Sequence, residues 1–313
     1  MKAEVLLLIF CCAYAWDQIL GEYPQAVHPV VWMGACIDAG RRLLLGRGPR
    51  LEFWGGFVLL GVIAGGFAAA VAAALAFLQP WPWLQAAVGC YFLKASFALK
   101  ALGFAAIDLG RHLRSGDTEA ARAALRSLCS RDPKELDEEQ LLEATISSLA
   151  ENLSDSFIAP LFYFLIAGIP GAIFYRAVNT LDAMVGYKNH LKHLGYASAR
   201  CDDLLNWIPA RLTTLLLLGI AWAAHYPWRY ATQIAWRDHR KTPSPNGGWP
   251  MACMAGLLQI QLRKPQVYTL GQALQKSELQ HLNRAWYVSL RAGHLAFALS
   301  LIVLIIRARE SLP

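Results

Sequence analysis

Charge is scarce in this chain. Asp, Glu, Lys and Arg make up 16% of its 313 residues, against roughly 25% in a soluble domain. With 56% hydrophobic residues, that shortage excludes an ordinary water-soluble globule and marks an integral membrane protein. Other absences exclude chemistries. No GxxxxGK[ST] occurs, so there is no P-loop. Cys11, Cys12, Cys36, Cys90, Cys129, Cys201 and Cys253 form no CxxC pair and no metal-like spacing, so neither a zinc site nor a disulfide framework is expected. No recognisable nucleophile accompanies a His and an acid, which argues against a Ser-His-Asp hydrolase. Internal repeats and low-complexity tracts are missing. The net charge of +7 is spread among loops, so nucleic acid is not the expected partner. The lipid bilayer is.

What is abundant is apolar sequence. Windows near the ~20 residues a span needs occur at Phe53–Leu78, Trp83–Ile107, Trp207–His225 and Ala285–Ile306. The shorter run Val5–Ala15 reads as an imperfect first span or as a signal peptide, Ala13-Tyr14-Ala15 imitating a cleavage site. The polar residues straight after it favour an anchored helix. Arg41, Arg42, Arg47 and Arg50 lie in one loop, and Arg111, Arg114, Arg122, Arg126 and Arg131 in another. The positive-inside rule makes both loops cytoplasmic and the N-terminus external.

Residues 111–150 read as a small cytoplasmic helical insertion in a single membrane domain covering 1–313. Asp117 caps a helix over Thr118–Cys129, Asp132-Pro133 breaks it, and a second helix begins near Asp137 with Leu141, Leu142, Ile146 and Leu149 on one side. Phe157–Val178 is long enough to span, but Gly168-Ile169-Pro170-Gly171 interrupts it. Met251–Leu262 is a candidate half-helix. The expected fold class is therefore all-α, a polytopic helical membrane protein of five to seven membrane segments, re-entrant ones included, plus the helical hairpin.

Polar clusters bracket these apolar stretches, and polar groups near hydrocarbon are costly unless they line a cavity or face water. Glu151 and Asp155 are four apart and would share a helix face. Such a pair either holds Mg²⁺ through oxygen ligands or simply ends a helix. Asn179, Asp182 and Lys188 follow the next apolar stretch, beside Gly186. They suit phosphate or metal, or else capping with a snorkelling lysine. Asp202, Asp203 and Asn206 repeat the pattern, with Arg200 and Arg211 flanking them. Ser244-Pro245-Asn246-Gly247-Gly248 is a rigid turn whose glycines permit close approach of a ligand, or a plain loop. His28 follows Asp17 and Glu22 and is a candidate base, although a lone His is more often structural. Together these residue types point to phosphate and divalent metal.

In this order the motifs resemble the adenosylcobinamide-phosphate synthase (cobinamide synthase) family of cobalamin biosynthesis. The resemblance rests on Asp17 with Gly21-Glu22-Tyr23-Pro24, His28-Pro29-Val30, Met33-Gly34 and Arg131-Asp132. It continues through Ala150-Glu151-Asn152 with Asp155, Ala159-Pro160-Leu161, Gly168-Ile169-Pro170-Gly171 and Asn179-Thr180-Leu181-Asp182. Next come Met184-Val185-Gly186-Tyr187-Lys188-Asn189, Ala199-Arg200 with Asp202-Asp203, Asn206 and Ile208-Pro209-Ala210-Arg211. Ser244-Pro245-Asn246, Gly248-Trp249 and Met254-Ala255-Gly256 complete it. Two departures stand out: Gly247 where Ala is expected, and Arg263-Lys264 where Gly is common.

The resemblance implies a ligase of the cytoplasmic (inner) membrane. It would join a propionate carboxyl of adenosylcobyric acid to aminopropanol or its O-phosphate, with ATP and Mg²⁺. In that reaction Glu151, Asp155, Asp182, Asp202 and Asp203 are candidates for the metal–nucleotide complex, and Lys188, Arg200 and Arg211 for phosphate charge. Asn179, Asn206, Ser244, Asn246 and Gly248 would contact substrate or phosphate, and His28 would be the base for the amine. A homo-oligomer or a pathway complex is compatible with it. The rival readings are a transporter of a corrinoid or anionic solute, with polar groups in mid-span, and a non-catalytic scaffold of the pathway.

Overall fold

The computed structural model describes residues 3–126, 128, 133–187 and 189–310. In chain order the helices are α1 (Ala3–Ile19), α2 (Pro29–Leu44), α3 (Pro49–Leu60), α4 (Gly66–Phe77), α5 (Pro82–Ser96), α6 (Leu99–Arg114) and α7 (Thr118–Leu125). They continue with α8 (Glu138–Leu153), α9 (Ala159–Val185), α10 (Tyr196–Leu205), α11 (Trp207–Ala223), α12 (Trp228–Asp238), α13 (Gly248–Leu258) and α14 (Leu279–Glu310). One antiparallel hairpin, β1 (Gln261–Lys264) with β2 (Tyr268–Gly271), pairs Leu262 with Leu270. This is an all-α polytopic membrane protein. Pro49–Phe77, Pro82–Arg114, Glu138–Val185 and Leu279–Glu310 are long and apolar enough to cross a bilayer, and α10 with α11 would make a fifth span as one broken helix. The chain forms two compact units.

The first unit comprises residues up to Ala98, Ala159–Leu205 and those from Phe297 onward. α1 packs on α5 because Gly89 leaves room; a Cβ there would stand 2.8 Å from Ile9 Cδ1. Small residues let helices approach closely where lipid supplies no hydrophobic drive. Phe10 of α1 stacks on Phe164 at 5.3 Å and on Phe297 at 4.8 Å, joining α9 and α14. The expected interruption of α9 falls at Ala167 and Gly168, the latter at φ +65° and ψ −158°, a region that only glycine adopts without strain. The Leu165 carbonyl beside this break accepts from Arg307 of α14.

The second unit comprises Leu99–Ile158 and Asn206–Ala296. Asp117 caps α7 through the Ala120 N–H, and Asp137 caps α8 in a reciprocal box with Gln140. α7 ends at Leu125, and the expected break at Asp132 lies outside the described residues, as does Cys129. α8 departs from a one-sided pattern: it is buried all round from Leu141 to Ala150. Its polar groups are matched inside. Thr145 and Ser147 donate to the Leu141 and Glu143 carbonyls, and Arg263 forks onto Glu143 at 2.7–3.1 Å. That fork explains a basic residue at position 263. α13 supplies the short apolar helix expected near Met251, but it ends at Leu258 with Gln259 left-handed, and the chain turns into β1.

Asp238 ties α12 to the hairpin. Its side chain is fully buried, receiving Arg237 at 2.7 Å, Lys241 at 2.6 Å and the Gly271 N–H at 2.8 Å. Burial pushes its carboxyl up, but these donors outweigh burial and bring it down to about 2. A depressed acid stabilises the fold fully above its ordinary value, ~3.9, and that contribution fades as pH falls through about 2. Asp238→Asn should therefore lower the thermal midpoint of detergent-purified protein at pH 7. The gap from wild type should close progressively below pH ~4; a gap independent of pH would contradict this.

Candidate functional site

In the first unit, a charged cluster forms where α1 and α5 end. Asp17 lies in the last turns of α1, and Gly21, at φ +81°, turns the chain so that Glu22 faces back. Lys94, in the last turn of α5, extends its ammonium to Glu22 at 2.7 Å, Asp17 at 3.3 Å and the Phe97 carbonyl at 3.1 Å. The Lys94 and Asp17 side chains have no exposed surface. Burial raises the Glu22 carboxyl, but His28 and Lys94 together hold it below the usual range. Lys94 lies outside every motif of the sequence. Its one sequence signal is that of a lysine inside the apolar run 83–107, which also holds Lys100, since an ionisable residue there is costly and marks a functional or paired position.

His28 is more committed than a free base would be. Its Nδ1 accepts from the Val30 N–H at 3.2 Å, capping α2. A backbone N–H can only donate, so the ring proton resides on Nε2 and is donated to Glu22 at 2.8 Å. Both ring nitrogens are thereby engaged. This geometry makes His28 a cap and an orienting partner of Glu22.

A second cluster in this unit lies where α9 meets α10. Asn179 donates to Asp202 at 3.3 Å, and Asp182 lies one turn further along α9. Gly186 makes room for the Asp182 carboxylate: a Cβ at 186 would stand 1.9 Å from Oδ1. Gly195 closes the turn against the Val185 carbonyl in the same way, at 1.9 Å. Asp203 is half-buried on α10, and Arg200 is exposed with its guanidinium over Tyr196. Lys188 lies outside the described residues.

In the second unit, Glu151 ends α8 and Asp155 falls within a π-helical turn, Ser154–Ile158. The shared α-helical face expected for this pair is therefore altered, because the wider turn changes the angle between successive residues. Such turns often occur at functional sites. Glu151 reaches the glycine turn: a Cβ on Gly247 would stand 2.6 Å from its Oε1. Thr242 donates to the Ser244 carbonyl at 2.8 Å, and the Asn246 N–H donates to Ser244 Oγ at 3.3 Å, fixing the loop. Gly248 packs against the His239 carbonyl, 2.1 Å from where a Cβ would be. Asn206 is buried at the start of α11, where its carbonyl receives the Ala210 N–H.

Arg211 of α11 donates to Asn246 Oδ1 at 2.9 Å and lies between the Trp207 ring at 4.6 Å and the Trp249 ring at 5.2 Å. The His239 ring stacks on Trp249 at 4.0 Å. These groups border a cleft of about 600 Å³ that Trp236 and Arg240 also line. The sequence motifs include Arg211 and the 244–250 turn but not Trp236, His239 or Arg240. Those three lie in α12 and the turn after it, a stretch without a motif.

Of the candidate residues, Asn179 and Asp202 meet in the first unit with Asp182 one turn along, and in the second Glu151 and Arg211 each reach the 244–248 turn. Among the described residues, no three His, Cys, Asp or Glu side chains gather into a metal cage. Mg²⁺ commonly takes only one or two carboxylates and leaves the rest to water and substrate phosphates. Asp202, which accepts from Asn179, and Asp182, one turn further along α9, are carboxylates of that kind.

A family model described as CobD/Cbib protein matches residues 10–299. The chain belongs to the CobD/Cbib family. It is 40% identical over 276 residues to the cobalamin biosynthesis protein CobD of Dehalococcoides mccartyi, covering 85% of this chain and 87% of that one. It is 42% identical over 272 residues to the probable cobalamin biosynthesis protein CobD of Thermococcus kodakarensis, covering 84% of each. To the CobD of Photorhabdus laumondii it is 35% identical over 314 residues, covering 94% and 96%. No solved structure matches it. The expected family resemblance thus holds over nearly the whole chain, and both carboxylate clusters and the cleft fall inside the span matched to the CobD/Cbib model.

Removing the buried ammonium tests the cluster at the ends of α1 and α5. Lys94→Met would leave the Asp17 and Glu22 carboxylates without their cation, and breaking a buried pair costs about 3–5 kcal/mol. The expected result is a large fall in the thermal midpoint, measured in detergent. Asp17→Asn combined with Lys94→Met should recover part of that loss, whereas equal midpoints for wild type and Lys94→Met would refute the pairing.

Proposed function

We propose that this protein acts in cobalamin biosynthesis as a ligase of the cytoplasmic membrane, joining adenosylcobyric acid to aminopropanol O-phosphate, or to aminopropanol, at the expense of ATP. The supporting observation is the cluster of Asn179, Asp182 and Asp202, held in place by glycines that leave no room for a side chain. In this reading a propionate oxygen attacks the terminal phosphorus of ATP, forming an acyl phosphate and releasing ADP. The amine nitrogen then attacks the acyl carbon, the amide forms, inorganic phosphate leaves, and the amine gives up a proton. Charge builds on phosphoryl oxygens in the first step and on the carbonyl oxygen in the second. Both are stabilised by preorganised cations and donors.

Asp182 and Asp202, with Asp203 beside them, would hold Mg²⁺, which would neutralise phosphate charge. Glu151 and Asp155 are a second candidate pair. Arg211, held by Asn246, would contact phosphate, with Arg200 and Lys188 as further cations. Asn206, Ser244 and Gly248 would shape the pocket for substrate. His28 enters as the group that orients Glu22, since both of its nitrogens are engaged.

Lys94 favours a second reading, transport, because a buried lysine in a helix long enough to span is a feature of solute pathways. Asp17 lies in the last turns of α1 and Lys94 in the last turn of α5, although the apolar span Pro82–Arg114 continues past Lys94 into α6. The ligase reading is favoured instead by the ordered motifs and by membership of the CobD/Cbib family.

Mass spectrometry of purified protein incubated with adenosylcobyric acid, Mg-ATP and either amine tests this. The expected product is heavier than adenosylcobyric acid by the amine less water, with one ADP released per product. Asp182→Ala should cut product formation by roughly two to three orders of magnitude, the scale for losing a group that stabilises transition-state charge. Folded wild type that yields no product with either amine would turn the assignment toward transport.

A further inference from the structure

The cleft of the second unit has a composition that the carboxylate chemistry does not use. Its walls come from the start of α11, the end of α12, the turn after it and the start of α13: Trp207, Arg211, Trp236, His239, Arg240 and Trp249. Trp249 is in contact with the Arg211 guanidinium at 5.2 Å and stacked with the His239 ring at 4.0 Å. Its indole N–H is buried and has no acceptor among the described residues. Trp236 is 73% exposed and meets Trp249 edge-on at 5.8 Å, while Trp207 is 55% exposed with the Arg211 guanidinium over its ring at 4.6 Å. Arg240 is exposed, and no hydrogen bond or ion pair engages it among the described residues.

Each feature selects for the ligand. The largely exposed Trp236 indole suits a planar ring, because base–aromatic stacking tolerates any base. Guanidinium groups beside them suit phosphate oxygens. A buried N–H without an acceptor favours a ligand rich in acceptors, since an unmatched donor costs free energy. A volume of about 600 Å³ lies within the range of small-molecule sites.

We propose that this cleft is a nucleotide site: the purine of ATP stacks on Trp236, and its phosphates reach Arg240 and the Trp249 N–H beside Arg211. The inference rests on the ligase reading for the identity of the nucleotide. Of the two phosphate-bearing substrates in that reaction, only ATP carries a planar ring. Aminopropanol phosphate would leave the Trp236 indole uncovered. An anionic lipid headgroup shares the phosphate but lacks the ring.

The test uses full-length protein in detergent. Labelled ATP binding is measured by equilibrium dialysis, and tryptophan quenching is followed with ATP, with adenosine and with phosphatidylglycerol vesicles. Trp236→Ala and Arg240→Ala each alter an exposed residue and should leave the unliganded thermal midpoint unchanged. Each is expected to weaken ATP binding about tenfold or more, the scale of one lost stacking or charge-assisted contact. Trp236→Phe should retain most of the affinity. Adenosine should bind more weakly than ATP in wild type and be insensitive to Arg240→Ala. If wild type binds ATP and both variants bind it equally well, the cleft assignment is overturned while the ligase reading stands. If wild type binds no ATP and makes no amide product, both fall. Quenching by phosphatidylglycerol vesicles that ATP does not reverse would assign the cleft to lipid headgroups and overturn the proposal.

Discussion

An ammonium held out of water between two carboxylates is the constraint on which the first unit depends. Lys94 and Asp17 have no exposed surface, and charges so buried remain only where geometry and additional hydrogen bonds offset their lost hydration. The Phe97 carbonyl supplies one such bond where α5 stops. Glu22 supplies the second carboxylate, and His28 holds Glu22 while starting α2. One ion thus ties the ends of α1 and α5 to the entry into α2. The order of consequence runs from a single buried cation to the helix ends it joins, then to the packing that the apolar residues complete.

The second unit solves a related difficulty by a different route. α8 is buried along most of its length but carries Glu143, Thr145, Ser147 and Ser148 inward. Hydroxyls bonded back to their own helix satisfy part of this polarity, and the forked contact from Arg263 satisfies the charge. The β-hairpin that carries Arg263 therefore serves the packing of α8, because it delivers a guanidinium to the core. Asp238 gathers Arg237, Lys241 and the Gly271 N–H in the same manner on the hairpin's other strand.

Much of this was legible in the sequence. Low charge and the long apolar windows gave the helical membrane class. The Gly168-Ile169-Pro170-Gly171 interruption gave the break in α9, and Asp117 and Asp137 gave two caps. The ordered motifs gave the family. Contacts between distant segments were not legible, because periodicity says which face is apolar and nothing about what it meets. Lys94 drew no reading, standing with Lys100 in an apolar run, and its partner Glu22 is 72 residues away. The fork from Arg263 to Glu143 spans 120 residues, so α8 read as half-exposed. His28 read either as a candidate base or as structural, because sequence shows the imidazole without the Val30 N–H that engages one of its nitrogens. The aromatic cleft escaped because tryptophans near apolar segments ordinarily signal the bilayer interface, which masks their convergence.

The π-helical turn at Ser154–Ile158 makes chain length itself a determinant of chemistry. Such a turn accommodates one surplus residue by widening the backbone spiral. Deleting any single residue there would let the backbone tighten into regular α-helix with scarcely any change in hydropathy. Each residue of an α-helix advances the direction of its side chain by about 100°, so Asp155 would swing to another azimuth relative to Glu151. A deletion that is silent by composition would therefore alter the aim of one carboxylate against the other. Spacing through this segment carries information that residue identity alone does not.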